Sequence, residues 1–196
     1  MSPSRRREPA LVDLSFTLDD CKPGSSFDKC VDFRVAAYAF KELFLKAKEL
    51  YKQYRLKSLK KKLGYLAAAL IALLNGLRGR ETIEAIEYFY ETGERVLKLR
   101  ARKRGDVRMV LIPEYIDRED VEHVYKLLRR RGEKGTRKRI GFFLWRNFGI
   151  TLHSLRYSLV RYLHSNNVDH SVIAAMLGHK DIRTIQRYYL RGVEVD

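Results

Sequence analysis

The chain has 196 residues, 45% of them apolar, which is enough to build the core of one ordinary domain. Lysine and arginine number 40 against 24 aspartates and glutamates, and the formal charge of +16 is typical of a protein that contacts phosphates. The longest apolar run, Tyr65 to Leu74, is about half of what a bilayer-spanning helix needs, so a membrane protein is not expected and the cytoplasm is the expected compartment.

The sequence up to Tyr90 predicts an arm followed by helices. Residues 1–32 are rich in Pro, Gly and Ser and contain a basic cluster, which indicates an irregular arm or linker. Cys21 and Cys30 lack metal-ligand spacing and are interpreted as two thiols or one optional bridge. Apolar residues at intervals of three and four then predict helices over Phe33 to Tyr54, over the leucine stripe Leu59 to Leu77, and around Glu81 to Tyr90.

The hydrophobic period changes from helical to alternating after Gly93. Apolar and basic residues alternate on both sides of a turn at Arg104, Gly105 and Asp106, and Pro113 ends the pattern. The alternating apolar positions are Leu97, Leu99, Ala101, Val107, Met109 and Leu111. This pattern predicts a β-hairpin, and the predicted fold class is therefore α+β, mostly helical with one small antiparallel sheet.

A further helix is predicted to begin at Asp117 or Arg118, and a strongly basic segment follows it. Lys126 to Arg139 holds eight basic residues and one acidic residue, interrupted by Gly132 and Gly135. We interpret this segment as a flexible connector that lies along a phosphate backbone, with a solvated loop as the alternative. Together with the hairpin arginines, its cations are the predicted DNA contacts: Arg100, Arg102, Arg104, Arg129, Arg130, Arg131, Lys134, Arg137, Lys138 and Arg139.

Three helices are predicted after Thr151: Leu152 to about Ser165, Ser171 to Leu177 stopped by Gly178, and Ile182 to about Leu190. In the first of them His153 and Arg156 are three residues apart, so both can reach one phosphate, although such pairs are common on protein surfaces. Arg78 is predicted at the end of a buried leucine helix, where a charge is costly unless a ligand or partner meets it.

Four motifs in this order resemble the catalytic domain of the tyrosine recombinases, the integrase family of phage, plasmid and Xer-type enzymes. NGLRGRE resembles the first arginine box, RKRGDVRMVLIP the lysine-bearing hairpin, HSLRY the HxLRH box, and LGHKDIRTIQRYY the tyrosine-bearing ending. The resemblance covers roughly Phe33 to Leu190 and implies a catalytic domain over residues 33–196. The charge-rich, amide-poor composition is typical of heat-adapted hosts, including archaea.

The resemblance implies a complete catalytic set: Arg78, Lys103, His153, Arg156, His179 and Tyr188. By this resemblance the two arginines would clamp the non-bridging phosphate oxygens and Tyr188 would attack phosphorus to form a 3′-phosphotyrosyl link. Lys103 would protonate the leaving 5′-oxygen, while the histidines would assist proton transfer and phosphate binding. No metal or cofactor is implied, and the implied partners are double-stranded DNA and further copies of the chain, as a dimer or tetramer.

Several features depart from the family pattern. Tyr157 follows Arg156 where histidine is common, Asn75 replaces a usual threonine, and Arg80 competes with Arg78 for the assignment. Family members commonly carry an additional N-terminal helical domain, so we expect this chain to be either a fragment or a naturally reduced form. The alternative functions are a DNA-binding module of the same fold without recombination activity, or a basic helical protein of ribosomal or chromatin type.

Two adjacent tyrosines, Tyr188 and Tyr189, compete for the role of nucleophile. Ile182, Ile185 and Tyr189 share one helical face, which favours Tyr189 as the core residue. Tyr188 lies nine residues after His179, as the family motif requires. The sequence therefore predicts Tyr188 as the nucleophile and Tyr189 as a packing residue.

Overall fold

A computed structural model describes residues 31–100 and 107–178 of the chain. Within these ranges the elements are α1 (Phe33–Tyr54), α2 (Lys57–Asn75), α3 (Gly79–Thr92), β1 (Val96–Arg100), β2 (Val107–Leu111), α4 (Arg118–Phe148), α5 (Leu152–Ser165) and α6 (His170–Met176). The predicted fold class is confirmed, as are the positions of most elements. Predictions for the N-terminal arm, the cysteines, the hairpin turn and the helix from Ile182 lie outside the described residues.

Helix α2 is the centre of the fold. Every residue from Leu63 to Leu73 is buried, and α1, α4 and α5 pack around it. A helix that is apolar on all sides needs neighbours on all sides, which explains this arrangement. The helix ends at Asn75, two residues earlier than the leucine stripe predicted, because Gly76 adopts a left-handed conformation with φ 57°. No helix of the described ranges is long and apolar enough to cross a membrane.

Strands β1 and β2 form an antiparallel pair in which Lys98 lies opposite Met109. Burial alternates along both strands, as the sequence predicts. In β2, however, the buried residues are Arg108 and Val110, whereas Val107, Met109 and Leu111 are exposed. One arginine therefore points into the protein from a strand whose more apolar face meets solvent.

The prediction of a flexible connector over Lys126 to Arg139 is wrong. These residues belong to α4, which is helical from Arg118 to Phe148 apart from a kink at Gly132, where φ is 66° and ψ is 178°. Leu127, Thr136 and Ile140 are buried, and the Thr136 hydroxyl donates to the Gly132 carbonyl at 2.9 Å. Tertiary packing of a few widely spaced buried residues thus stabilises the helix, while its exposed positions carry the basic residues.

Candidate active site

The first site residue, Arg78, lies in the short connection between α2 and α3. It is the N-cap of α3, and its backbone N–H donates to the Glu81 carboxylate at 2.8 Å. Its guanidinium also pairs with Glu81, with 3.0 Å between Nη1 and Oε1. The sequence predicted Arg78 at the end of the leucine helix, and this prediction is wrong, because α2 ends at Asn75 and Arg78 is the N-cap of α3. Its side chain is 42% exposed, so it can pair with Glu81 and still face a ligand.

Glu81 is the hub of the site, because three guanidinium groups surround its carboxylate. Besides Arg78, Arg108 lies 3.3 Å and Arg156 lies 3.7 Å from Oε2, and these two side chains are 2% and 0% exposed. Burial alone would raise the pKa of Glu81, but Arg108, the Arg78 N–H and the other two guanidiniums together lower this pKa below its ordinary value. The carboxylate is thus held in its charged form.

Main-chain carbonyls anchor the two buried arginines. Arg156 donates to the carbonyls of Gly76 and Leu177, the second at 2.9 Å. Arg108 donates to the carbonyl of Asn75 at 2.7 Å and also to that of Leu177 at 3.3 Å. The end of α2, the start of α3, β2, α5 and the end of α6 are therefore joined through one network of charge-assisted hydrogen bonds.

The close approach of these elements depends on Gly76. A Cβ at this position would lie 2.8 Å from Leu177 Cδ2 and 2.9 Å from Leu159 Cδ2, and its φ is already in the left-handed region. A side chain here would displace the Leu159 and Leu177 side chains that pack against the end of α2. Gly76 thus brings the carbonyls of the α2 terminus within reach of Arg156.

His153 occupies the first turn of α5, where the Thr151 hydroxyl accepts from the Ser154 backbone N–H at 3.1 Å. His153 is exposed, and its ring meets the Tyr157 ring edge-on with centroids 4.8 Å apart. Although His153 and Arg156 are neighbours on one helix, Arg156 enters the core while His153 stays at the surface. Tyr157, which stands where the resembled family commonly has histidine, supports the His153 ring.

Asn75, another departure from the family pattern, fastens β2 to the site. Its side-chain amide donates to the Leu111 carbonyl at 2.9 Å and accepts from the Leu111 N–H at 2.8 Å. The amide thereby forms the same two hydrogen bonds with Leu111 that the main chain of a neighbouring strand would form. This pairing fixes the position of β2, and hence of Arg108, relative to Arg78.

The predicted DNA contacts fall into three groups. Arg100, Arg130, Arg131, Lys134, Lys138 and Arg139 are exposed. Arg129 pairs with Glu91 at 2.5 Å, and Arg137 pairs with Glu133 at 3.4 Å while its Cδ covers Gly79, next to Arg78. Lys103, His179 and Tyr188, together with Arg102 and Arg104, lie outside the described residues, so the structure does not test their placement.

Sequence reasoning missed Arg108 and the central role of Glu81. The available signal was alternation, since Arg108 shares a strand face with Val110, and an arginine on a buried strand face requires an anionic partner. From the sequence, Glu81 was noted only as the last residue of the motif NGLRGRE and was given no role. Within the described ranges, no three His, Cys, Asp or Glu side chains cluster as metal ligands.

Comparison with known proteins finds one archaeal and one viral relative. An uncharacterized protein of Methanocaldococcus jannaschii is 30% identical over 191 residues, covering 85% of this chain and 85% of that protein. The chain belongs to the family of this archaeal protein. The chain is also similar to "Putative integrase ORF241" of Acidianus two-tailed virus. The two sequences are 36% identical over 124 residues, which cover 63% of this chain. The match spans 50% of that viral protein, and no family model or solved structure matches the chain.

Proposed function

We propose that the chain is the catalytic domain of a tyrosine recombinase that breaks and rejoins DNA, acting as a homo-oligomer on its target site. The observation that carries the proposal is the convergence of Arg78 and Arg156 on Glu81, although 78 residues of sequence separate the two arginines. The motifs NGLRGRE and HSLRY thus meet in space. The similarity to a viral protein named as an integrase supports the same role.

Arg78 is the guanidinium best placed to contact DNA, because it is partly exposed while Glu81 fixes its position. A planar fork of donors suits two oxygens of one phosphate. Arg156 is fully buried, and Gly76 and Leu177 occupy two of its nitrogens. In the proposed reaction, Arg156 exchanges a carbonyl for a phosphate oxygen when DNA binds, and until then it positions the end of α2 against α6.

The proposed chemistry is a pair of phosphoryl transfers. The Tyr188 oxygen attacks phosphorus, so that a phosphotyrosyl bond forms and the bond to the 5′-oxygen breaks. The tyrosine proton passes to a nearby base, with His153 as the candidate, and Lys103 supplies a proton to the leaving 5′-oxygen. Rejoining reverses these steps with a 5′-hydroxyl as nucleophile, so the energy of the phosphodiester is conserved.

A covalent adduct tests this proposal. The chain is incubated with supercoiled plasmid and with nicked duplexes of randomised sequence, in the presence of a chelator, and the products are run on a denaturing gel. We expect an adduct with the wild-type chain, none with Tyr188→Phe, and retention with Tyr189→Phe. Loss with Tyr189→Phe alone would reassign the nucleophile.

A second variant pair tests the phosphate contact. Arg78→Lys keeps the charge but loses the planar fork, so we expect adduct formation to fall by about tenfold to a hundredfold while the fold is retained. Arg80→Lys, the neighbouring exposed arginine, should behave as wild type. If no adduct forms on any substrate while salt-sensitive DNA binding persists, the chain is a DNA-binding module of this fold.

A further inference from the structure

A basic and aromatic groove lies beside the N-terminal half of α2, whereas Arg78 and Glu81 follow the C-terminal end of that helix. It is lined by Ser58, Lys61, Lys62, Tyr65, Arg139, Phe142, Phe143, Arg146 and Asn147. Tyr65 is ten residues before Asn75 on α2, or roughly 15 Å at 1.5 Å per residue. The groove is therefore separate from the site that contains Arg78.

Two parallel rows of side chains form the walls of this groove. On α2, residues 58, 61, 62 and 65 follow the spacing i, i+3, i+4, i+7, and on α4 residues 139, 142, 143 and 146 do the same. Such a spacing places each row along one helix face. Tyr65 and Phe143 pack together with ring centroids 5.1 Å apart where the rows meet. The groove is thus lined by one face of each helix and contains this pair of aromatic rings.

The charge of the groove is entirely positive. Four of its nine lining residues are cations, and none of them is acidic. Lys61, Arg139 and Arg146 have no acidic ion-pair partner among residues 31–100 and 107–178. The guanidiniums of Arg139, Arg131 and Arg130 also act on Tyr65, where they oppose the rise in pKa that burial causes. A polyanion is the ligand that such a surface attracts.

The aromatic residues narrow the class of polyanion. Phe142 lines the groove and is 52% exposed, and the Trp145 ring beside it, at 6.3 Å between centroids, is 62% exposed. Exposed rings next to cations suit unpaired bases, which stack on the rings while their phosphates meet the cations. Duplex DNA keeps its bases stacked on each other and does not use such rings.

We propose that this groove between α2 and α4 binds single-stranded nucleic acid. The proposed binding requires no cleavage, so it can be tested in a variant that cannot cleave. Its expected role is to hold a strand that has separated from its complement near the place where the chain acts on DNA.

Trp145 provides the assay, since it is the one tryptophan of the chain. The full chain carrying Tyr188→Phe is titrated with a short oligothymidylate, with a duplex of equal length and with inorganic phosphate, and tryptophan fluorescence is recorded. We expect saturable quenching with the single strand, weaker affinity for the duplex and no quenching with phosphate. Equal affinity for the duplex would overturn the proposal, as would the absence of quenching with either DNA.

Variants separate stacking from charge. Phe142→Ala, at an exposed position, should weaken single-strand binding by about tenfold. Lys61→Gln and Arg146→Gln should each make the slope of log affinity against log salt shallower by about 0.7. Lys52→Gln, at an exposed position of α1 outside the groove, should leave this slope unchanged. As a control, acrylamide should quench the fluorescence of Trp145 in the free protein. A Trp145 ring that is shielded from acrylamide would mean that another segment covers the groove, and this result would overturn the proposed binding site.

Discussion

Loss of the Glu81 charge should lower the stability of the fold substantially, and Glu81→Gln is the variant that tests this. The substitution keeps the size of the side chain and an acceptor for the Arg78 N–H, but it removes the negative charge shared by three arginines. Arg78 is nearly half exposed, so its loss of a partner costs little. Arg108 and Arg156 are buried, and their positive charges would lose the Glu81 carboxylate.

Removing one partner of a buried ion pair typically costs about 3–5 kcal/mol. The carbonyls of Asn75, Gly76 and Leu177 still accept from the buried guanidiniums, so we expect the lower end, about 3 kcal/mol. For a chain of this length that corresponds to a fall in Tm of roughly 10 °C. Urea unfolding followed by circular dichroism measures the change as a lower midpoint with an unchanged slope.

The matched control is Glu84→Gln, on an exposed position of the same helix. It removes the same negative charge from a chain of net charge +16, so any general electrostatic effect appears in both variants. If Glu81→Gln and Glu84→Gln shift the midpoint equally, the hub has no special role and the reasoning is refuted.

The same interaction has a pH signature. The pKa of Glu81 is lowered in the folded state, so its contribution to the free energy of unfolding is complete above the ordinary glutamate value of 4.5. The contribution is lost as the pH falls from there through the folded pKa. The stability difference between wild type and Glu81→Gln should therefore shrink on acidification. A difference that stays constant with pH would show that the carboxylate charge is not its cause.

Three further substitutions test other parts of the fold. Gly132→Ala should lower the free energy of unfolding by about 1–3 kcal/mol, because the backbone conformation at the α4 kink is one that only glycine adopts readily. A lower Tm of the variant would show this loss. Gly141→Ala lies in a regular turn of α4 with open space around its Cβ position, and it should instead raise the free energy of unfolding by about 0.5–1 kcal/mol. A decrease in stability would show that residue 141 is not helical. Asn75→Ala should cost about 1–3 kcal/mol and speed exchange of the Leu111 amide hydrogen. Asn147→Ala removes an amide that donates to the Phe143 carbonyl of its own helix, and it should leave that exchange unchanged.

The elements of the fold were largely predictable because they depend on local patterns. Apolar spacing gave α1 from Phe33 to Tyr54 and the start of α4 at Arg118, and alternation gave both strands. The basic part of α4 was predicted wrongly, because glycines and charges usually signal a loop. Leu127, Thr136 and Ile140 hold it as a helix through contacts that the local sequence does not reveal.

For the candidate site, the sequence by itself determined which residue types are present and in what order, since motifs such as NGLRGRE and HSLRY are readable as strings. It did not determine that Arg156 lies in the core while His153 stays at the surface, or that Arg108 shares the carboxylate of Glu81. These facts depend on how β2, α3 and α5 pack around the end of α2. Buried charge is tolerated only where distant parts of the chain bring its partners together, so tertiary structure alone decides it.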